Sequence, residues 1–491
     1  MSDPKKRFFQ SSSQTNIVHV ISDSSSDVSI ISPVRFKKKP KTKQNINSRT
    51  YHTTQKLNSP ISTAIISDKE PSPSKTKKKL KKRIKVEVHI NLEYNEAKVL
   101  LIAGSHNNNI LGSIQIDQLF SCKGNLKPTK ALLTTYMMDY EWVREKIGNE
   151  AIIVIGCHPP DIKEHTPGAF NLNAETVFVS PQLLPDSRYT SYHPKLMLLW
   201  FDGFVRMVIS SANLIPGDWE SIQNSAFVQD FPLLSKPNEN DTVVKSQLID
   251  FLNHSQFPES TLSALQYIDF SSFKHQLVTA VPGRYSKDIK DNKYGYVGLS
   301  KSIKNIKQLN NLKMEKLCCQ SSSLGFLNLF WINQIIAELG QACQAQILFP
   351  TQEQVENSEL GPNGAGSVIL TERAFNSKYF PRYSLYKPDY TTPGLLSHSK
   401  IIYSKYTDSE NAWMYLGSAN FTKSAWGVFT TKEYKISNFE IGVLLNCYYH
   451  KNSIHLYNGT DPKKNYQIPL PFSINWQKYS TQDKPWTLSY D

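Results

Sequence analysis

Apolar residues are distributed in two ways along this chain. From residue 1 to about 84 they form short clusters broken by charge and by Ser, Thr, Asn and Pro, a pattern that cannot offset the entropy of ordering and predicts a disordered tail. From Val86 onward the pattern is one of regular elements. Val86-Glu-Val-His-Ile-Asn-Leu92 alternates and Lys98-Val-Leu-Leu-Ile102 is nearly continuous, so 85–113 reads as a lead-in carrying a strand pair of open role. Beyond Ile114, β-type runs such as Ala151-Ile-Ile-Val-Ile155 and Val205-Arg-Met-Val-Ile209 alternate with helical spacing over Phe326 to Leu339, which predicts a mixed α/β body.

Composition sharpens this division. The 491 residues are 39% hydrophobic, enough for two or three domains. Of the net charge of +14, residues 1–85 carry +15 (20 Lys+Arg against 5 Asp+Glu), leaving −1 for 86–491. The basicity belongs to the tail. That excludes a uniformly cationic protein that coats nucleic acid, and an anionic substrate must be met in the body by a few placed cations. No apolar run approaches ~18 residues and none of signal type opens the chain, so neither a membrane span nor secretion is expected. The six cysteines show no C-x-x-C pairing, which argues against structural zinc or a disulfide scaffold; Cys318-Cys319 reads as two buried thiols rather than a redox pair.

An internal repeat carries more information than any of these. His193-Pro-Lys-Leu-Met-Leu-Leu followed by Val208-Ile-Ser-Ser-Ala-Asn213 recurs as His398-Ser-Lys-Ile-Ile-Tyr followed by Tyr415-Leu-Gly-Ser-Ala-Asn420, with the histidines 205 positions apart and the asparagines 207. Alone, one His-x-Lys beside a strand is commonly a surface feature, and one Ser-Ala-Asn is ordinary loop chemistry. Duplication in register reverses that balance. It predicts two similar mixed-sheet α/β domains related by a pseudo-twofold, 114–270 and 271–491, with their boundary near 265–280.

In a strand, residues i and i+2 share a face, so His193 projects with Lys195 and His398 with Lys400. If the halves face each other, two His, two Lys and two Asn converge: a nucleophile or base, an acid, two cations and two neutral donors. That inventory suits a phosphodiester, whose equatorial oxygens the donors would hold in the transition state, and it calls for no metal or cofactor.

This pattern resembles the phospholipase D superfamily and, within it, the tyrosyl-DNA phosphodiesterase family. Phospholipase-type members carry His-x-Lys-x4-Asp, whereas the corresponding positions here are Trp200 and Lys405, a departure expected of the tyrosyl-DNA subclass. Further matches include Gln118-Leu-Phe-Ser, Asp139-Tyr-Glu-Trp142, Asn213-Leu-Ile-Pro-Gly-Asp-Trp219, Val281-Pro-Gly-Arg284, Gln320-Ser-Ser-Ser-Leu-Gly325, Phe349-Pro350, Ser424-Ala-Trp-Gly427, Asn438-Phe-Glu-Ile-Gly-Val443 and Lys484-Pro-Trp486.

The resemblance implies hydrolysis in two steps of a tyrosine-linked peptide, as left by topoisomerase I, from a DNA 3′ phosphate. His193 would attack phosphorus and His398 would act as acid, then as base, while Lys195, Lys400, Asn213 and Asn420 bind the non-bridging oxygens. Glu440 would orient the His193 imidazole. The partner of His398 is left between Asn224, at the family's glutamine position, and Gln223 beside it. Tyr136 and Tyr189 match aromatic positions that hold the DNA end, and Ser322 and Ser323 would donate to backbone phosphates; alone, these residues read equally as core rings and a solvated turn.

In the tail, Pro4-Lys-Lys-Arg7, Lys37-Lys-Lys-Pro-Lys41 and Lys77-Lys-Lys-Leu-Lys-Lys-Arg83 suit nuclear import, with cytoplasm or mitochondria as further compartments. Val18–Ile21 and Val28–Ile31, flanked by acids and serines, read as SUMO-interacting segments or as incidental apolar residues. A monomer is expected. The rival reading is a phospholipase D-type lipid or general nucleic-acid phosphodiesterase; the missing aspartates count against the lipid enzyme, and two intact His-Lys pairs count against a non-catalytic binding protein.

Overall fold

The computed structural model describes residues 92–102, 112–159, 166–184, 190–238, 242–288, 292–457 and 466–489, together with the backbone of 17–18. The expected tail with its basic clusters, the segments Val18–Ile21 (Val18 backbone apart) and Val28–Ile31, and Tyr189 thus lie outside the described residues. The Ile17–Val18 backbone pairs antiparallel with Met138–Asp139.

Two large mixed sheets organise the body. In the first, the strand order is Lys98–Ile102, Asn224–Pro232, Phe204–Ser210, Leu196–Phe201, Lys130–Thr135, Ile152–Cys157, Thr176–Ser180 and Gly168–Asn171, with Ser113–Ile114 beside Lys98–Ile102. The second runs Gln276–Ala280, Asn438–His450, Asn411–Gly417, Ile401–Lys405, Lys316–Gln320, Gln344–Leu348, Leu385–Lys387 and Gln477–Lys478. Pairing sense matches joint by joint. In both sheets it is antiparallel through the first strands and parallel across the two joints that follow Lys130–Thr135 or Lys316–Gln320; the last joint is antiparallel again.

This correspondence relocates the lead-in. Lys98–Ile102, read from sequence as part of a segment ahead of the first domain, is a strand of its sheet, paired along Asn224–Val228 and equivalent to Gln276–Ala280. Its apolar run is buried on pairing, which the local pattern could not reveal because the partner lies more than a hundred residues away.

Strand composition explains the layering. Leu196-Met-Leu-Leu-Trp-Phe201 has no polar position: Leu196, Leu198 and Trp200 enter one core with Val205, Met207 and Ile209, while Met197, Leu199 and Phe201 enter another with Phe204 and Val208. A strand covered on both faces needs such a run. The helix expected over Phe326 to Leu339 occupies Leu329–Glu338, because Gly325 sits at φ +53° and Asn328 is extended, its side chain accepting from the Trp331 N–H at 2.8 Å as an N-cap. Likewise Asp139 caps Tyr140–Ile147 through the Trp142 N–H at 3.1 Å, so Asp139-Tyr-Glu-Trp142 has a local structural role. Among the described residues no helix is long and apolar enough to cross a membrane.

Candidate active site

The site is built where each half's chain crosses to the other's sheet. Ser191–Tyr192 pairs with Asn438–Phe439 and Gln223 bridges Ser397, so the His193 N–H donates to the Phe439 carbonyl at 3.1 Å and the His398 N–H to the Gln223 carbonyl at 2.8 Å. Each histidine is thereby fixed to the opposite half, one residue short of Glu440 or Asn224. This modifies the expected placement: His-x-Lys lies just ahead of its strand, which begins at Leu196 or Ile401, rather than inside it. The lysines still turn with their histidines, Lys195 Nζ donating to the His193 carbonyl at 2.9 Å and Lys400 Nζ to that of His398 at 2.5 Å.

The two imidazoles receive different partners. His193, 6% exposed, has Nδ1 at 2.9 Å from Glu440 Oε2, which also accepts from Ser418 Oγ at 2.5 Å, while Asn438 Nδ2 donates to Oε1 at 3.2 Å. An ionised carboxylate only accepts, so Nδ1 carries the proton and the Nε2 lone pair is available. His398, 4% exposed, has Nδ1 at 3.1 Å from Asn224 Oδ1. Asn224 Nδ2 donates to the Asp218 carbonyl at 2.7 Å and Oδ1 accepts from Ser211 Oγ at 2.7 Å, which sets the amide's orientation and makes His398 Nδ1 the donor. Between the alternatives left open by sequence, the structure puts Asn224 on His398. Gln223 is engaged elsewhere, donating to the Ile102 carbonyl at 2.8 Å and accepting from Thr392 Oγ1 at 3.1 Å.

The phosphate-binding candidates gather round this pair. Asn420 Oδ1 accepts from Ser321 Oγ, Ser322 Oγ and the Ser323 N–H at 3.1–3.2 Å, so its NH2 end is left as the donor toward the cleft. Asn213 donates its backbone N–H to Asp218 Oδ2 at 2.6 Å, and Trp219 Nε1 donates to its carbonyl at 2.7 Å. Ser322, expected to meet DNA phosphate, donates to Asn420 and accepts from Lys400 Nζ at 3.0 Å, and so joins two of the phosphate-binding candidates. Ser323 Oγ is buried and has no hydrogen-bond partner among the described residues, consistent with donation to a bound oxygen. The Tyr136 ring is 6% exposed, edge-on to His193 at 5.4 Å and backed by His158 at 4.8 Å, and His158 Nδ1 accepts from the Tyr192 N–H at 3.1 Å.

Burial, followed by the ammonium groups of Lys195 and Lys400, holds His193 well below the usual imidazole range; burial, the same lysines and His193 itself do so for His398. Burial and Lys195 depress Lys400, against the pull of Asp218 and Glu440. Glu440 is pushed up to about 7 by burial, against the lysines and its Ser418 and Asn438 bonds. A bound phosphodiester anion would reverse much of this, since its charge favours protonated His398 and charged lysines.

Sequence reasoning missed Ser211, Ser418, Asp218 and His158. The two serines belong to the repeated Ser-Ala-Asn and Asp218 to a matched motif, so a signal was present without an assigned task; His158 had none. The departures from His-x-Lys-x4-Asp also find places: Trp200 is core, with Lys130 Nζ 5.0 Å above its ring, and Lys405 pairs with Glu315 at 2.9 Å.

One imidazole offering a lone pair, one able to give and take a proton, two ammonium groups and two amides match an in-line displacement at phosphorus. Comparison with known proteins agrees. A family model described as tyrosyl-DNA phosphodiesterase matches residues 98–480. The chain is 28% identical over 352 residues to tyrosyl-DNA phosphodiesterase 1 of Arabidopsis thaliana, covering 64% of this chain and 56% of that protein, so it spans little more than half of that relative's length. It is 23% identical over 401 residues to the probable tyrosyl-DNA phosphodiesterase of Caenorhabditis elegans, 74% of this chain and 82% of that one. The crystal structure of the yeast tyrosyl-DNA phosphodiesterase covers 80% of this chain and 100% of its own at a TM-score of 0.60 and 16% identity, which establishes a shared fold. Because the family model spans most of the body and its motifs meet in one site, the chain belongs to the tyrosyl-DNA phosphodiesterase family.

Proposed function

We propose that this protein is a DNA-repair phosphodiesterase that removes tyrosine, or a tyrosine-linked peptide, from a DNA 3′ phosphate. In the first step His193 Nε2 attacks phosphorus, the P–O bond to tyrosine breaks, and His398 Nε2 gives its proton to the phenolate oxygen. In the second, His398 takes a proton from water, the water oxygen attacks phosphorus, and the P–N bond breaks to release His193 and a 3′ phosphate. Lys195, Lys400, Asn213 and Asn420 would hold the non-bridging oxygens, and the Tyr136 ring would take the terminal base.

The observation that carries this reading is the unequal pairing of equivalent histidines. A phosphohistidine formed at Nε2 carries positive charge on its ring, which the carboxylate of Glu440 on Nδ1 stabilises. A residue that must donate and later recover a proton is served by a neutral amide, which accepts from Nδ1–H in both states. The test is cleavage of a 3′-phosphotyrosyl oligonucleotide beside a phosphatidylcholine substrate, both in EDTA. Release of tyrosine alone is expected; cleavage of the lipid alone, or activity that returns only with added Mg²⁺ or Zn²⁺, overturns the proposal.

The tail supports two further proposals, nuclear import through its basic clusters and docking of SUMO or SUMO-bearing proteins through Val18–Ile21 and Val28–Ile31. Deleting residues 1–84 should reduce nuclear accumulation and SUMO binding while leaving turnover of short oligonucleotides nearly intact.

A further inference from the structure

Asp218 belongs to the short helix Pro216–Glu220, is 4% exposed, and touches three site residues. Its Oδ2 accepts the Asn213 N–H at 2.6 Å and lies 3.5 Å from His398 Nδ1, and its carbonyl accepts from Asn224 Nδ2 at 2.7 Å. The repeat makes this position informative. Asp218 and Trp219 stand five and six residues after Asn213, as Ala425 and Trp426 stand after Asn420, and both tryptophans are 2% exposed. Only the helix beside His398 carries a carboxylate.

On the opposite side the roles are exchanged. Glu440 brings its carboxylate straight onto His193 Nδ1, and the equivalent position facing His398 is the amide Asn224. Each histidine therefore has one carboxylate, delivered from different places: in direct contact for the nucleophile, and from the adjacent helix for the acid. The amide of Asn224 sets the His398 tautomer but adds no charge, while burial, Lys400, Lys195 and His193 all oppose its protonation; the carboxylate nearest the ring is that of Asp218, at 3.5 Å. Asp218 and Glu440 both pull on Lys400; what separates them at His398 is position, Asp218 Oδ2 lying 3.5 Å from its Nδ1 while Glu440 is bonded to His193.

On the proposed mechanism, we infer that Asp218 is a positioning residue that supplies the negative charge keeping His398 protonated for the leaving-group step, while locking Asn213 in its phosphate-binding pose. Burial holds the Asp218 carboxyl above its ordinary value, although the backbone and side chain of Asn213 and both lysines pull it back toward the carboxylate. Phenol, with an ordinary pKa of about 10, leaves poorly at neutral pH without a proton. A carboxylate within ~4–6 Å raises an imidazole pKa by roughly 1–3 units, enough to decide whether His398 is an acid at all.

The test is Asp218→Asn in the full chain, which keeps an oxygen for the Asn213 N–H, removes the charge and turns the second carboxylate oxygen into a donor. Single-turnover rates are measured across pH with a 3′-phosphotyrosyl oligonucleotide and with its 3′-(4-nitrophenyl) phosphodiester analogue. The active acid is protonated His398, so tyrosine release falls as pH rises through its pKa. Losing a negative neighbour lowers that pKa, and the alkaline limb should move down by about 1 unit or more. At pH 8 tyrosine release should drop about tenfold or more, with little loss for nitrophenol, which leaves without a proton. An unmoved limb, or equal loss on both substrates, overturns the inference. If Asp218→Asn does not fold, the exchange Asp218→Asn/Asn224→Asp decides the matter, since it returns one carboxylate to His398: a limb at or above the wild-type position is expected, and one below it refutes the role. Failure of wild-type protein to release tyrosine would count against the proposed function itself and is read separately.

Discussion

Replacing Glu440 with Gln isolates one charge in the site. Gln keeps the size of the side chain and an oxygen where Oε2 now accepts from His193 and Ser418. Its NH2 would face Asn438 Nδ2, at 3.2 Å in the parent, and a half-turn of that amide presents an oxygen instead. What disappears is the carboxylate beside a ring that becomes cationic when phosphorus bonds to it. A hydrogen bond to a charged group contributes about 1.5–3 kcal/mol and a neutral one about 0.5–1.5. The difference, about 1–2 kcal/mol, corresponds to a fall of roughly 5–30-fold in the rate of phosphohistidine formation. A denaturing gel of single-turnover reactions with labelled 3′-phosphotyrosyl DNA separates this step from hydrolysis.

The pH profile provides a sharper criterion. Glu440 is effective as the carboxylate, and burial pushes its pKa to about 7, so kcat/KM of the parent should decline as pH falls through that region. His193 sits well below its ordinary value and cannot produce a limb there. Glu440→Gln should therefore be slower at pH 8 and lack the acid limb. A variant with the parental single-turnover rate, or one that keeps a limb near pH 7, would refute the assignment of Glu440 to His193.

Other variants probe the remaining parts. His193→Ala should abolish turnover without any covalent species, whereas His398→Asn should slow attack, since the phenolate then leaves without a proton, but stall hydrolysis more, since water lacks a base, and so accumulate phosphohistidine; trapping by the His193 variant alone would mean the roles are reversed. Arg206→Met tests the fold apart from the chemistry. Arg206 and Asp230 are fully buried, joined at 2.8 Å, and Arg206 also donates to the Leu119 and Ser121 carbonyls, so urea unfolding should show a loss of about 3–5 kcal/mol, with folded protein keeping its activity. A loss under 1 kcal/mol would contradict the pairing.

Much of the architecture was legible because it is written twice. The repeat of His193-Pro-Lys and Ser-Ala-Asn213 at His398 and Asn420 identified six residues that meet, and its spacing implied matching strands around each copy. What the chain could not disclose locally is set by the crossing of the halves. That the His193 N–H bonds to Phe439 and the His398 N–H to Gln223 depends on pairings across 246 and 175 positions, and these decide that Glu440 and Asn224, rather than their neighbours, face the rings. The surroundings of Ser322 were hidden for a related reason: a serine in a polar run reads as a solvated turn as readily as a site residue, and only the fold brings its hydroxyl between Lys400 and Asn420. Lys98–Ile102 read as an appendage because a single strand carries no mark of the sheet that will take it.

The same crossing suggests how a duplicated unit came to run an asymmetric reaction. Two equivalent positions, one residue beyond the carbonyl that holds the opposite histidine, are Glu440 and Asn224. A carboxylate directly on both rings would make both imidazoles strong bases and weaken the acid that the leaving group needs. An amide on both would leave a cationic phosphohistidine without a counter-charge in a buried site that already contains Lys195 and Lys400. Placing Glu440 on one ring and Asn224 on the other, with Asp218 at 3.5 Å to keep the second protonatable, resolves both demands without disturbing the sheets. On the proposed mechanism the chemistry is differentiated by three polar side chains hung on matching strands and helices, so the two histidines should be separable by exchanging those side chains alone. Asn224→Glu combined with Glu440→Gln is the corresponding variant. If the partners set the roles, it should shift covalent attachment toward His398, and peptide mapping of trapped phosphohistidine would detect the shift; attachment that remains wholly on His193 would show that the approach of the substrate, and not the partners, chooses the nucleophile.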